Sequence, residues 1–258
     1  MPHKIWDKIR KRFLLPLLTG IMAAFLPAHR SLGDAPVDIT ASDMIPLGPH
    51  FSYYEDPEAK LSIKGVLADN SLIFRKSESD IPSFGYSKSA FWFRVVLSNP
   101  LSVPVSKIIE LAFPLMDDIE FYLIDSKTMA IIDKEYTGDM YPFSHREIKF
   151  HNFTFNINLS PSTSDILLIR VKSEGNIQVP VYLWKPLKFY ESVFDIQIIQ
   201  GIFFGFMIII FMYNFFIGMV LREKSYILYL CLIVSLTLLL ANIKELPFEY
   251  VWPEMPEL

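Results

Sequence analysis

The sequence predicts a mainly β protein, a sandwich of the jelly-roll type, followed by two transmembrane α-helices. Residues 36–190 contain many short runs of β-branched and aromatic residues, separated by turn-forming Gly, Pro, Asn, Asp and Ser. Residues 196–221 and 225–243 are two runs without a charged residue. Each of the two is long enough to cross a hydrocarbon core of about 30 Å. We therefore expect an exported β domain that is tethered by a membrane anchor.

Residues 1–35 predict a signal peptide or an N-terminal anchor and linker. Five basic residues lie between positions 4 and 12, before the apolar stretch FLLPLLTGIMAAFLPA. A basic region followed by a short apolar one is typical of an export signal. A membrane span needs about 20 apolar residues, so the short stretch favours a cleaved signal over an uncleaved anchor. Both alternatives place the next domain outside the cytoplasm.

Within the segment SFGYSKSAFWFRVVLSN, residues 83–99, the run from Phe91 to Leu97 alternates with a period of two residues. This alternation predicts a strand with one face in the core. The face predicted to pack carries Phe91, Phe93, Val95 and Leu97. The opposite face carries Trp92 and Arg94, an unusual pair for a solvated surface. A second strand follows the same pattern, with Phe153, Phe155, Ile157 and Leu159 packed and Asn152, Thr154, Asn156 and Asn158 predicted to be solvated.

Composition excludes several classes of protein. The net charge is −4, with acidic and basic residues interspersed, which argues against a nucleic-acid partner. Hydrophobic residues make up 52% of the chain, and the excess is concentrated in residues 13–28 and 196–243. The only cysteine, Cys231, lies in the second membrane run, so neither a disulfide framework within the chain nor a cysteine-rich zinc site is expected.

The two uncharged runs predict an antiparallel helix pair, with membrane helices at residues 196–221 and 225–243 and a tight turn at residues 222–224. The turn carries Arg222 and Lys224, which favours a cytoplasmic position by the positive-inside rule. This agrees with an external β domain at residues 36–190. The acidic tail, residues 244–258, is then extracytoplasmic and has Trp and Tyr residues suited to a membrane interface.

Four stretches together resemble the bacterial seven-transmembrane receptors with diverse intracellular signalling modules (7TMR-DISM). They are FGYSKSAFWFRVVLSN, TGDMYPFSHREIKFHNFTFNI, LLIRVKSEGNIQVPVYLW and QGIFFGFMIIIFMYNFFIGMVLREKSYILYL. The β part is similar to the family's second extracellular sensor domain, which implies a jelly roll like that of carbohydrate-binding modules. The last stretch resembles the first two helices of the membrane region. The resemblance implies a receptor that lacks its remaining helices and output module, so the sequence is interpreted as truncated.

The face of the sheet opposite the core is the predicted ligand site. Flat aromatic rings suit sugar rings, and the planar guanidinium of arginine suits carboxylates or pairs of hydroxyls. The predicted ligand-binding residues are Trp92, Arg94, Tyr122, Arg146, Arg170 and Trp184. The alternative is that Trp92 packs beneath a loop and Arg94 pairs with a nearby carboxylate, as cross-strand pairs commonly do.

An enzyme is not expected. Glycoside hydrolysis needs a facing pair of carboxylates. In the densest acidic group, at positions 117–125, Asp118 and Glu120 instead project from the same face of one strand. The five histidines lack metal-ligand spacing, so no metal site and no cofactor are predicted.

Three residues of the first membrane helix are predicted to pack against other helices. Gly201 and Gly205 form a small-xxx-small pair, which allows close contact between helices. Asn214 lies deep in the apolar run and needs a hydrogen-bond partner there. We expect that partner to be another helix or a second chain.

These observations predict the ligand-sensing part of a bacterial inner-membrane receptor, with the β domain in the periplasm. Its expected ligand is a small molecule such as a saccharide or a carboxylate-bearing compound. The alternative is a membrane-tethered surface module for binding or adhesion, without signalling.

Overall fold

The computed structural model describes residues 35–69 and 71–243. Most of the residues before 186 form or connect strands, and long helices follow. The predictions for residues 1–35 and 244–258 therefore lie outside the described residues, apart from Ala35. The strands are β1 Val37–Asp38, β2 Met44–Pro46, β3 Ser52–Asp56, β4 Arg75–Lys76, β5 Ser83–Tyr86, β6 Ala90–Asn99, β7 Val105–Leu111, β8 Asp118–Asp125, β9 Ile131–Thr137, β10 Phe153–Leu159, β11 Thr163–Lys172, β12 Asn176–Gln178 and β13 Val181–Trp184.

The strands form two main sheets and a small one. The larger sheet has the order β4-β3-β6-β11-β8-β9, and β1 pairs in parallel with β6. The second sheet has the order β10-β7-β13-β2, and β12 pairs with β5. Strands distant in sequence are neighbours in both main sheets, as in Greek-key sandwiches. The predicted β-sandwich followed by two helices is confirmed.

The two main sheets pack face to face around one apolar core. The packed face of β6 is the predicted one, and so is that of β10. Phe121 of β8 stacks on Phe155 of β10, with ring centroids 4.3 Å apart, and joins the two sheets at the centre. Alternation with a period of two residues thus determined which side chains enter the core. The solvated face predicted for β10 is only partly found, because Asn152 and Thr154 are buried.

Three helices complete the described chain: α1 Ile63–Ala68, α2 Pro186–Leu221 and α3 Lys224–Ile243. Helix α2 begins ten residues before the uncharged run at Ile196, with Pro186 in its first turn, a favoured position for proline. It is about 54 Å long at 1.5 Å per residue. It ends at Leu221, and the C-cap residue Arg222 has a left-handed φ of 53° and donates its N–H to the Gly218 carbonyl.

Helices α2 and α3 are long and apolar enough to cross a membrane, judged by length and composition. The first turns of α2 also pack against the four-stranded sheet. Phe189 is buried with Ile108 of β7 and Phe150, and Trp184 and Val193 pack beside them. We call this contact the sheet–helix joint. It fixes the start of α2 to the β domain.

Candidate functional site

The strand register gathers the polar and aromatic candidates on one side of the seven-stranded sheet. We call the side that faces away from the core the outer face. Arg170 of β11 lies between Trp92 of β6 and Glu120 of β8. The full register row, from β3 to β9, is Tyr54, Trp92, Arg170, Glu120 and Tyr136. The next row contains Arg94, Leu168 and Tyr122. Four predicted ligand residues thus share the outer face: Trp92, Arg94, Tyr122 and Arg170.

Trp92 and Tyr122 are not an open platform in this structure. Their rings are nearly parallel, with centroids 6.3 Å apart, but Trp92 is 0% exposed and Tyr122 is 2% exposed. Both rings lie beneath other residues, so a sugar cannot stack on them in this conformation. The prediction of an exposed aromatic surface is corrected here, and the alternative of a tryptophan packed under a loop describes Trp92 better. Arg94 is half-buried, with its guanidinium 4.4 Å from the ring centre of Phe74.

Arg170 is the centre of a charged network on the outer face. Its Nη1 donates to Asp118 Oδ2 at 2.9 Å and to Glu120 Oε1 at 2.8 Å, while its side chain is only 8% exposed. Tyr122 donates its hydroxyl to Glu120 Oε2 at 2.6 Å. Burial, and then the hydrogen bond to Glu120, raises the pKa of Tyr122 well above its ordinary value, so its hydroxyl stays protonated. The network is therefore preorganised, and Arg170 already has two carboxylate partners.

A cavity of about 710 Å³ opens at the Asp118 end of this network. Tyr141 lies in its wall, and its hydroxyl is 3.3 Å from Asp118 Oδ1. Burial and the Asp118 charge raise the pKa of Tyr141. Asp117 accepts hydrogen bonds from Ser173 Oγ at 2.9 Å and from the Glu174 N–H at 2.7 Å, which fixes the loop after β11. The lining residues are Asp117, Asp118, Met140, Tyr141, Lys172 and Glu174.

Arg146 does not join the outer face. It is buried, its Nη1 donates to the carbonyls of Phe150 and His151, and its guanidinium lies over the rings of Phe143 and Phe153. These contacts fix the loop before β10. The structure therefore gives Arg146 a structural role in place of the predicted ligand-binding one.

Trp184 lies on the other sheet, at the sheet–helix joint. Its Nε1 donates to Glu110 Oε2 at 2.8 Å, and Asn152 donates to Glu110 Oε1 at 2.6 Å. Burial raises the pKa of Glu110, and the two hydrogen bonds lower it in part. Trp184 therefore supports the start of α2, where Phe189 packs against it. It is separate from the predicted ligand residues of the outer face.

The helix-packing prediction concerns other helices or a second chain, so for Gly201, Gly205 and Asn214 it stays a prediction. No atom of the described chain lies within 4 Å of a Cβ placed on Gly201 or Gly205. Asn214 donates to the Ile210 carbonyl of its own helix at 2.8 Å, which satisfies one amide donor without another helix. The close approach between α2 and α3 is at Gly218, where an added Cβ would lie 2.9 Å from Tyr226 Cβ.

Sequence reasoning missed Met140, Tyr141 and Glu174 in the cavity wall, and Glu110 at the joint. The first three lie on loops that only the fold brings beside β8. For Glu110 a signal existed, since it is the one carboxylate in the apolar run of β7. Among the described residues, no group of three His, Cys, Asp or Glu side chains is arranged to hold a metal ion.

Comparisons with known proteins match both parts of the chain. Residues 48–185 match the family described as 7TMR-DISM extracellular 2, and residues 196–258 match 7TM diverse intracellular signalling. A search of curated proteins finds no match.

Solved structures match the β part at low identity. CsCBM6-3 from Clostridium stercorarium, in complex with cellobiose, is 13% identical over 41% of this chain and 82% of its own, with a TM-score of 0.24. A β-glucosidase from Kluyveromyces marxianus, in complex with glucose, is 11% identical over 51% of this chain and 15% of its own, with a TM-score of 0.29. Matches this weak carry no inference about ligands.

Proposed function

Since the chain belongs to the 7TMR-DISM receptor family, we propose that its β-sandwich binds a small extracytoplasmic molecule and passes that event to the membrane helices. The observation that carries this proposal is the 710 Å³ cavity beside the Arg170 network. The cavity has the size of a small-molecule site and combines polar groups with apolar surface from Met140 and Tyr141.

The charges of the cavity favour a neutral polyhydroxylated ligand, such as a saccharide, over a carboxylate. Three of the six lining residues are acidic, and Lys172 is the one cation among them. Arg170 is already bound to Asp118 and Glu120, so a ligand carboxylate would have to displace one of them. Carboxylate oxygens and the Tyr141 hydroxyl accept hydrogen bonds from sugar hydroxyls.

Calorimetry tests this ligand class with the full chain in detergent micelles. Neutral disaccharides (cellobiose, maltose and lactose) and dicarboxylates (succinate and malate) are titrated in parallel. Lys172→Ala and Tyr141→Phe should each weaken disaccharide binding by about 5- to 30-fold, as expected for the loss of one hydrogen bond worth about 1–2 kcal/mol. Lys127→Ala, in the turn that follows the other end of β8, is the matched control and should leave affinity unchanged. Binding of dicarboxylates alone would contradict the saccharide class.

We propose binding without catalysis. Asp118 and Glu120 lie on the same strand and share one guanidinium, whereas hydrolysis needs carboxyls on opposite sides of a glycosidic bond. Release of glucose from the same disaccharides by the purified chain, lost in Glu120→Gln, would overturn this assignment.

The proposed orientation has the β domain in the periplasm and the α2–α3 turn in the cytoplasm of an inner membrane. Arg222 and Lys224 support this side for the turn. A Glu223→Cys substitution in a Cys231→Ser background gives a single cysteine in the turn. A membrane-impermeant maleimide should label it only after the inner membrane is permeabilised. Labelling in intact spheroplasts would place the turn outside and overturn the orientation.

A further inference from the structure

The outer face is buried although it points away from the core, so some part of the chain must cover it. Trp92, Tyr122 and Leu168 on this face are each at most 2% exposed. The segment between β3 and β4 contacts the face on both sides of Trp92. Phe74 lies over Arg94, two residues along β6, and the Ala59 carbonyl is 3.4 Å from Nη2 of Arg170, the residue opposite Trp92. We call residues 57–69 and 71–74 the cover segment.

The cover segment lies at the surface. None of its described residues is buried, whereas Trp92, between its two contacts with the outer face, is 0% exposed. Helix α1 within it has one and a half turns and a long cap, with Ser62 Oγ 3.4 Å from the Gly65 N–H. The Leu61 N–H donates to Asp56 Oδ2 at 2.7 Å and ties the segment to the end of β3. Segments with few buried contacts open at a low cost in free energy compared with the core.

Beneath the cover segment is an unmet hydrogen-bond donor. No described residue accepts a hydrogen bond from Nε1 of Trp92, although that atom is buried. Burying an unpaired N–H is unfavourable, so the closed conformation carries a cost that opening relieves. The indole also lies beside Arg170, whose partner Asp118 lines the cavity.

We infer that the cover segment opens to expose Trp92 and Tyr122 as a second subsite that extends the cavity. A pyranose ring stacks in this subsite, and one of its hydroxyls accepts a hydrogen bond from the indole N–H. This inference rests on the proposed saccharide function. Only the open fraction of molecules offers the full site, so the apparent dissociation constant equals the intrinsic one divided by that fraction. The cover segment therefore sets the sensitivity of the sensor.

A first experiment tests opening without any ligand. The full chain in micelles, with its other three tryptophans changed to phenylalanine, reports acrylamide quenching of Trp92. Phe74→Ala removes the contact with Arg94 and should raise the quenching constant about fivefold or more. Tyr86→Ala, an exposed aromatic away from the outer face, is the control and should leave it unchanged. Unchanged quenching in a folded Phe74→Ala chain overturns the inference.

A second experiment needs no variant and remains decisive if Phe74→Ala fails to fold. Hydrogen–deuterium exchange of the wild-type chain should show amides of the cover segment exchanging at least 100-fold faster than the central amides of β6. Equal protection of the two would mean that they open only together, and would overturn the inference.

Cellobiose titration separates the inference from the proposed function. If Phe74→Ala raises the fraction of open molecules about tenfold, it should bind cellobiose about tenfold more tightly than the parent chain. A larger quenching constant in Phe74→Ala, with no cellobiose binding to this variant or to the parent chain, supports an opening cover segment but rejects the saccharide function. Binding that Phe74→Ala leaves unchanged rejects the second subsite alone.

Discussion

Removal of the Arg170 guanidinium should destabilise the β domain more than any exposed charge change. Arg170 is 8% exposed at its side chain and joins two carboxylates at 2.8 and 2.9 Å. Arg170→Met keeps most of the side-chain volume but leaves Asp118 and Glu120 facing each other without a counter-charge. Breaking a buried ion pair in this way costs about 3–5 kcal/mol.

The expected loss is large enough to measure in micelles. For a domain of this size each kcal/mol corresponds to about 2–4 °C, so Arg170→Met should lower the melting temperature of the β domain by about 6–20 °C. Near-ultraviolet circular dichroism follows the transition. Lys60→Ala removes the exposed Lys60–Glu58 pair, whose side chains are 80% and 74% exposed, and should change stability by less than about 1 kcal/mol.

A second substitution separates electrostatics from packing. Glu120→Gln added to Arg170→Met removes one of the two facing charges, so the double variant should recover part of the melting temperature lost in Arg170→Met. If the loss were due to packing of the arginine stem, the double variant would melt no higher than Arg170→Met. That result, or a loss no larger than that of Lys60→Ala, would refute the reasoning.

Three further predictions test the fold. Gly138→Ala places a Cβ 2.0 Å from the Asp117 carbonyl oxygen at φ +151° and should lower the free energy of unfolding by about 2–4 kcal/mol in urea titrations. Gly85→Ala is the control, because no atom of the described chain lies within 4 Å of its added Cβ, and it should cost about 1 kcal/mol. Burial, and then two neighbouring carboxylates, raises the pKa of Glu135 to about 7. The folded state therefore holds the Glu135 proton more tightly than the unfolded state, and stability should fall as pH rises from about 4.5 to 7. Thermal melts of Glu135→Gln across this range should lack this decrease. Gly218→Leu should separate α2 from α3 and lower the helical melting temperature in micelles, whereas Gly205→Leu should leave it unchanged.

The core could be predicted from the sequence, and the strand neighbours could not. Alternation with a period of two residues is local, so it identified Phe91 and Phe93 as core residues without knowledge of the partners. The position of β11 between β6 and β8 depends on contacts distant in sequence. The ion pair between Arg170 and Asp118 could therefore not be predicted from the sequence.

Exposure was the second quantity that the sequence could not supply. Alternation assigned Trp92 to the face opposite the core, which is correct, but that face is buried because the cover segment returns across it. The cover segment has no long periodic pattern that would have predicted its position. The start of α2 could have been predicted from the sequence, because proline is favoured in the first turn of a helix, where Pro186 lies. The uncharged run that begins at Ile196 indicated only where contact with lipid becomes possible.

The glycines of α2 illustrate the same limit. Spacing alone favoured Gly201 and Gly205, but the turn after α2 is short, so the two helix axes are closest near that turn. Gly218 lies four residues before Arg222 and is the glycine that contacts the neighbouring helix. Loop length therefore indicated where α2 and α3 meet, whereas the small-xxx-small spacing of Gly201 and Gly205 stays a prediction about other helices or a second chain.

The outer face of the larger sheet carries the proposed ligand site, and the second sheet carries the contact with α2. Glu120, on the outer face, is followed along β8 by Phe121, which stacks on Phe155 of the second sheet. Phe155 pairs in register with Ile109 of β7, next to Ile108, which packs on Phe189 at the start of α2. Close-packed cores shift as bodies and do not absorb strain locally. A ligand that moves β8 would therefore displace the sheet to which α2 is fixed, and the buried Glu110–Trp184 hydrogen bond would hold that contact together during the movement.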